Sequence, residues 1–274
     1  MRPVFRDAET QRTLDREGYV TVSLVDGADL VRLRELVARV QSALRTDRRW
    51  EPRGFEELMY VEDRELRRAV QADLEAVLAP RLAEHVRDCH ILVSNVFVKA
   101  PAPANNVVPP HQDFCVVDES AGWEHVQMWM PLVDVDASNG CLCVLPRAHR
   151  IANPYRAQGD KTPFESFLDR RIMRPLELRA GEAVLFSGRT VHASERNGTD
   201  RPRPAVACLF ARVEAPLVHY HRIDARRVEV FRLEPDDLRM LVPGRRPEVG
   251  RSLGLVDGDP SAVSYADFLR VTGD

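Results

Sequence analysis

Pro109-Pro110-His111-Gln112-Asp113-Phe114 is the stretch from which the rest of the chain can be read. Two consecutive prolines disfavour a helix and push the backbone toward extended geometry. In an extended chain residues i and i+2 project to the same side, so His111 and Asp113 point together and Gln112 points away. On a helix the same spacing would put them on nearly opposite faces. An imidazole beside a carboxylate can chelate one metal ion. His-x-Asp arises often by chance, however, and gains meaning only with a third ligand from elsewhere.

Gly181-Glu-Ala-Val-Leu-Phe-Ser-Gly-Arg-Thr-Val-His192 offers that ligand. A turn glycine opens a buried strand that ends near a histidine. Two histidines and one carboxylate on one face of an octahedron leave three positions open, as in the facial triad of Fe(II) oxygenases. A closed tetrahedral zinc site would leave none. Eleven residues further on, Arg203 stands at the entrance of the strand expected at 205–213. Its planar guanidinium can grip a carboxylate through two parallel hydrogen bonds, and the Ser194 hydroxyl can add a donor. Gln127 and Trp129 alternate with Met128 and Met130, and one of these faces could line the cosubstrate pocket.

Outward from these motifs, the period of the apolar residues changes once. Before residue 90 it is helical. Leu30, Leu33, Leu36, Val37, Val40 and Leu44 recur at spacings of three and four over 29–45, with Asp26 or Asp29 as a start signal. A second helix is expected over 64–85, and a short strand over 18–24. From His90 onward short β-rich runs follow at 91–99, 125–135, 141–145, 183–186 and 205–213, with turns at Gly140 and Gly181. The expectation is a mainly β fold with flanking helices, a double-sheet jelly roll or a related barrel. The chain is expected to be one domain over 1–274. Residues 1–90 would form a largely helical flank, 90–215 the jelly-roll core and 216–274 a C-terminal covering segment, read as short helices and loops from about residue 233. The long polar segment 147–174 reads as a lid or binding loop.

Composition sets bounds on the function. The 274 residues are 44% apolar and 30% charged, with a net charge of -3, which points to no nucleic-acid or anionic-membrane partner. Of the 39 basic residues only Lys99 and Lys161 are lysines. That bias fits either a GC-rich genome or an acidic substrate. Five cysteines without framework spacing argue against a disulfide scaffold, and Cys141 and Cys143 read as small core residues. The N-terminal stretch lacks the apolar run of a signal peptide, and no segment approaches the roughly 18 apolar residues of a membrane span. A reduced, cytoplasmic setting is expected.

Other residues compete for roles. His219 and His221 form a second strand-type pair, without an accompanying carboxylate, and read as substrate-side or surface residues. His85 reads as exposed. His90, His125 and His149 read as structural. Arg156, Arg170, Arg171 and Arg174 could clamp an anion, with solvated surface charge the plainer reading. Asp118, Glu119 and Glu124 could instead meet a cationic group.

The ordered set of motifs resembles the phytanoyl-CoA dioxygenase-like 2-oxoglutarate oxygenases over roughly residues 10 to 215. It comprises His111-Gln-Asp113, Val126 to Asp136, Asn139-Gly-Cys-Leu-Cys-Val-Leu-Pro-Arg-Ala-His149, Gly181 to Phe186 and His192-Ala-Ser194 with Arg203. The resemblance implies a double-stranded β-helix of the jelly-roll, cupin-like kind with helices packed against one sheet, Fe(II) held by His111, Asp113 and His192, and 2-oxoglutarate held by Arg203 with Ser194. Arg147-Ala148 departs from the family's usual Gly-Ser, which touches a turn and no ligand. Asp113 is retained where related halogenases carry a small residue. The implied reaction couples oxidative decarboxylation of 2-oxoglutarate by O2 to hydroxylation of a small molecule. Desaturation, ring closure or epimerisation are the other outcomes of such chemistry. Two further classes remain: a cupin-like metal enzyme that does not use 2-oxoglutarate, against which Arg203 argues, and a non-catalytic binding barrel, against which the intact triad argues.

Overall fold

A computed structural model describes residues 2–46, 54–61, 63–151, 155–160, 162, 164–241, 244–258 and 263–273. In chain order these form α1 (Ala8–Glu17), β1 (Tyr19–Ser23), α2 (Gly27–Thr46), β2 (Phe55–Glu57), α3 (Arg64–His85), β3 (Cys89–Lys99), β4 (Val108–His111), β5 (His125–Pro131), β6 (Leu142–Val144), β7 (Arg174–Pro175), β8 (Glu182–Ser187), β9 (His192–Ser194), β10 (Arg203–Arg212), β11 (Leu217–Arg222), β12 (Arg227–Leu233), α4 (Pro235–Met240), β13 (Arg251–Asp257) and α5 (Tyr265–Thr272). The expected helices over 29–45 and 64–85 and the strand over 18–24 are present.

Three antiparallel sheets result. The major sheet runs β1-β8-β5-β10-β3-β2, the minor sheet β4-β9-β6-β7, and a third sheet β11-β12-β13. The major sheet shows why the β-rich runs read so clearly. Along β3, β5 and β10 successive side chains alternate between two environments. Val96, Val98, Met128, Met130, Val206 and Cys208 join the core formed with Leu33, Leu36 and Val37 of α2 and Leu74, Val77 and Leu78 of α3. The intervening residues, among them Asn95, Phe97, Gln127, Trp129 and Arg203, line a cavity together with residues of the minor sheet. Helices therefore pack on the outer face, and the inner face is left for the site. This is the double-stranded β-helix expected.

Local chemistry sets the ends of the elements. Asp7 accepts from the Thr10 N–H at 2.7 Å at the start of α1, and Asp63 accepts from the Glu65 and Leu66 N–H groups at the start of α3, each satisfying donors with no partner inside the helix. Gly140 and Gly181 adopt φ of 77° and 90°, and a Cβ at either would collide with backbone carbonyl oxygens of Glu195 and Val25. Arg147 holds φ of 67° without being glycine. The departure noted at Arg147-Ala148 thus falls where a left-handed residue is required, at a cost of roughly 1–2 kcal/mol.

The C-terminal region differs from expectation. In place of helices and loops alone, β12 and β13 join β11 in a sheet of their own. Six of the seven β13 residues are exposed, so the two-residue alternation that marks a half-buried strand is missing there. α5 does act as a cover: Phe268, 1% exposed, packs with Leu145, Phe164, Val191 and Ala193. No described helix is long and apolar enough to cross a membrane.

Candidate active site

His111 and His192 are register partners where β4 pairs with β9, and their ring centroids lie 4.2 Å apart. The strand ends at His111, so Asp113 reaches the same spot from the extended segment beyond it. Ligand atoms of His111, Asp113 and His192 all lie within 4.8 Å of one another, and these three are the one such group among the described residues. Gln112 turns away and donates to the Arg189 carbonyl at 2.6 Å. The same-side reading of His111 and Asp113 therefore holds, although only one of them is in a strand.

Each histidine is oriented by its own backbone. His111 Nδ1 lies 2.9 Å from the Pro109 carbonyl and His192 Nδ1 lies 3.1 Å from the Thr190 carbonyl. A carbonyl only accepts, so both Nδ1 atoms carry the proton and both Nε2 lone pairs are left for a metal. Burial pushes His192 down to about 4, with His111 acting in the same direction, so its imidazole is neutral at pH 7, as a ligand must be. Burial opposes the Asp113 charge, but His192 and His111 outweigh it and hold the carboxyl below its ordinary range. Gln127 donates to Asp113 Oδ2 at 3.0 Å. It therefore orients the carboxylate, and it borders the same cavity as Arg203 and Ser194.

Arg203 opens β10 and is 2% exposed. Among the described residues its Nε and Nη1 have no hydrogen-bond partner, while its guanidinium lies 5.3 Å from the Trp129 ring centroid. Burial lowers it to about 10, so it remains a cation at neutral pH. A buried cation with unpaired donors is expensive unless a ligand completes it. Ser194 borders the same cavity. Its carbonyl accepts from Lys99 Nζ at 3.3 Å, and Lys99 also donates to the Glu195 carbonyl. The donor set fits Fe(II), and the Arg203 fork fits the far carboxylate of a chelated dicarboxylate such as 2-oxoglutarate.

Several readings need correction. Arg156 is not surface charge: it is 2% exposed and forks onto both oxygens of Glu119 at 2.8 and 2.9 Å. It also donates to the Asp113 carbonyl at 2.7 Å. Glu119 accepts in addition from Arg189 at 2.8 Å, so its partners are internal cations. Burial opposes its charge, and Arg156 and Arg189 keep its carboxyl low. Glu124 is also buried, and Asp118 caps a short turn. Arg171 is exposed and pairs with Asp169, Arg174 is exposed, and the Arg170 side chain lies outside the described residues. His85 is half-buried. His125 is fully buried and burial pushes it down to about 4. His149 is structural as expected, its Nε2 donating to the Asp15 carbonyl of α1 at 3.2 Å. His219 sits buried behind Phe114, edge to face at 6.2 Å, apart from the metal cluster.

Glu57 was not visible from the sequence. It lies on the three-residue edge strand β2, borders the cavity and accepts from Asn95 Nδ2 at 2.9 Å. Burial pushes its carboxyl up to about 7, against the Asn95 hydrogen bond, with the Asp113 charge adding to the rise. No local pattern marks it, because its role depends on β2 pairing with β3.

Two imidazoles and a carboxylate gathered beside the cavity of a double-stranded β-helix are the donor set of the 2-His-1-carboxylate metal proteins. Within that class the chain belongs to the phytanoyl-CoA dioxygenase (PhyH) family, whose sequence model matches residues 14–205. It is 28% identical over 124 residues to phytanoyl-CoA dioxygenase domain-containing protein 1 of Bos taurus, covering 42% of this chain and 43% of that protein. It is 29% identical over 124 residues to phytanoyl-CoA dioxygenase 1 of Oryza sativa subsp. japonica, covering 43% of each. The match thus spans less than half the length of these relatives. Among solved structures it resembles SnoK, a non-heme alpha ketoglutarate dependent carbocyclase from nogalamycin biosynthesis, with a TM-score of 0.55 and 22% identity over 93% of this chain and 100% of that one. It also resembles HygX from Streptomyces hygroscopicus with nickel and 2-oxoglutarate bound, with a TM-score of 0.53 and 17% identity over 76% and 88%. These likenesses show the shared fold.

Proposed function

We propose that this chain is an Fe(II)- and 2-oxoglutarate-dependent oxygenase that oxidises a C–H bond of a small organic molecule, most simply by hydroxylation. The observation that carries this is the presence, in one cavity, of a His-Asp-His donor cluster and a buried guanidinium with unpaired donors. A cupin-like enzyme without the cosubstrate has no use for that guanidinium, and a binding barrel has no use for the donor cluster.

His111, Asp113 and His192 would hold the iron, and Arg203 with Ser194 would hold 2-oxoglutarate. When bound, these groups supply the oxidation: 2-oxoglutarate loses CO2 to become succinate as O2 is reduced, and one oxygen atom goes to the substrate. The protein's own part is placement and exclusion of water. Gln127 orients the Asp113 carboxylate, and Arg156 fixes the backbone carbonyl of the same residue. Phe186 packs against the His192 ring at 4.9 Å and limits its rotation.

The same donor set serves other outcomes. SnoN is described as an epimerase and SnoK as a carbocyclase, so product analysis decides between hydroxylation and these alternatives. We read the whole chain as one oxygenase domain, since β1 of the N-terminal flank pairs with β8 of the core and α5 packs behind β9. The five cysteines form no disulfide, which suits a reducing cytoplasm.

The test needs no substrate. Fe(II) and then 2-oxoglutarate are added to the metal-free protein without oxygen, and the weak visible charge-transfer band of the chelate is sought. The band is expected in the wild type and absent from His192→Ala. Iron binding without a band would overturn the cosubstrate assignment.

A further inference from the structure

Most polar groups around the cavity have a task. Three make the metal cluster, Gln127 serves Asp113, and Arg203 and Ser194 face the cosubstrate. Glu57 has none. Its Oε1 accepts from Asn95 Nδ2, and Asn95 Oδ1 accepts in turn from the Val96 N–H, both at 2.9 Å. Both ends of that amide are tied, so its orientation is fixed and it serves as a mount for the carboxylate. Glu57 Oε2 accepts no hydrogen bond among the described residues, and as part of the cavity wall it is the oxygen a ligand would meet.

Apolar side chains make up much of the wall beside this carboxylate. Phe55 and Phe97 stack at 5.7 Å with planes 18° apart, and Met59, Val93 and Phe114 border the same cavity; Lys99 Nζ lies 5.9 Å from the Phe55 centroid and donates to the Ser194 and Glu195 carbonyls. A carboxylate can only accept, and removing it from water without a cation is costly. Aromatic faces beside it attract a cation and offer nothing to an anion. A second anchor of opposite sign stands on the same wall: Arg203 is the register partner of Lys99, four residues along β3 from Asn95, or roughly 13 Å. A dicarboxylate and a cationic molecule would thus be sorted to different places by charge.

We propose that Glu57, mounted on Asn95 and flanked by Phe55 and Phe97, anchors a protonated amine of the substrate, so that the substrate class is an amine with an apolar body. This rests on reading the cavity as an oxygenase site. The ammonium would donate to Glu57 Oε2 and lie against the ring faces. The apolar body would fill the wall of Met59, Val93 and Phe114, beside the metal cluster.

Hexylamine, 1-hexanol and hexanoate serve as probes, titrated calorimetrically into the anaerobic Fe(II)–2-oxoglutarate form. Hexylamine is expected to bind more tightly than 1-hexanol, and hexanoate to bind least. Glu57→Gln, which keeps the shape, should weaken hexylamine by about 10- to 100-fold and leave 1-hexanol nearly unchanged. Asn95→Ala leaves Glu57 in place but untethered, and should weaken hexylamine by about 2- to 10-fold. Equal hexylamine affinity in wild type and Glu57→Gln would overturn the proposal, as would 1-hexanol binding as tightly as hexylamine. If Glu57→Gln does not fold, an unchanged affinity in Asn95→Ala overturns it. The charge-transfer band is recorded on the same samples. Its absence in wild type refutes the oxygenase reading, whereas a normal band without selective amine binding refutes only the amine anchor.

Discussion

His111 and His192 face each other across the β4–β9 pairing, and each ties its Nδ1 to the carbonyl two residues before it, at Pro109 and at Thr190. One local device, used twice, aims both Nε2 atoms at the point that the Asp113 carboxylate also reaches. The orientation of each ring is fixed by its own local backbone. The relative position of the two rings is fixed by the sheet. A metal therefore meets a site whose rotamers are already set, and little ordering entropy is lost on binding.

Removal of either imidazole should accordingly cost more than the loss of an orienting partner, which is worth about 10- to 100-fold in metal affinity. In His111→Ala and His192→Ala, Fe(II) affinity should fall by at least about 100-fold, and consumption of 2-oxoglutarate should stop. Anaerobic titration with Fe(II) measures the first effect and succinate formation the second. Wild-type turnover in either variant would falsify the ligand assignment. Asp113→Gly should likewise end hydroxylation.

Gln127 provides a graded version of that test. Its amide holds one Asp113 oxygen at 3.0 Å and leaves the other for the metal. Gln127→Ala should keep the fold and lower Fe(II) affinity by about 10- to 100-fold. Gln127→Glu should be worse, since a second carboxylate beside Asp113 brings like charges together. Equal iron affinity in all three proteins would mean that Asp113 needs no such support.

Arg203 separates cosubstrate from metal. With its Nε and Nη1 unpaired among the described residues, Arg203→Ala should raise the 2-oxoglutarate requirement by about 100-fold or more, as expected for two charge-assisted hydrogen bonds. Fe(II) affinity should change little. Arg203→Lys should recover only part of the loss, because an ammonium lacks the planar fork. A cosubstrate KM that is the same in Arg203→Ala as in wild type would place the clamp elsewhere.

Breaking the ion pairs behind the site should damage the fold itself. Glu119 is held by Arg156 and Arg189, and Arg156 also holds the Asp113 carbonyl. Glu119→Gln removes the charge that both guanidinium groups share, one of them fully buried, at a cost of roughly 3–5 kcal/mol. A urea midpoint within error of wild type would show that the pairs carry no net stability.

The readings that succeeded were those in which sequence spacing alone carries the geometry. His111 and Asp113 depend on two prolines and an extended chain, and the helices over 29–45 and 64–85 depend on a period of three to four. The readings that failed needed a partner far along the chain. Arg156 and Glu119 are both polar residues in segments that look solvated, and only the fold brings them together. β13 exposes nearly every residue, so no alternation betrays it. Glu57 belongs to a three-residue strand, too short to show a period, and its partner Asn95 is 38 residues away. A candidate metal cluster is legible because a metal restricts residue type and spacing together. A specificity residue is bound by neither rule.

Glu57 also carries a pH prediction for the metal-free protein. Its carboxyl titrates at about 7 when folded, against an ordinary 4.5, chiefly because of burial. Below pH 4.5 both folded and unfolded chains hold the proton, and above pH 7 neither does. Between these values the unfolded chain has lost the proton and the folded chain keeps it. Unfolding free energy therefore falls as pH rises through this window and is flat beyond it. The full shift corresponds to roughly 3 kcal/mol. Glu57→Gln has no such proton to lose, and the shifts of other groups largely cancel in the comparison. The variant should match wild type near pH 4.5 and exceed it by up to about 3 kcal/mol at pH 8, as measured by urea denaturation across that range. A difference that stays constant with pH would mean that the carboxyl is well solvated. A difference that grows as expected would show that the fold tolerates an unfavourable charge at the cavity wall. Such a cost is typical where function and not stability selects the residue.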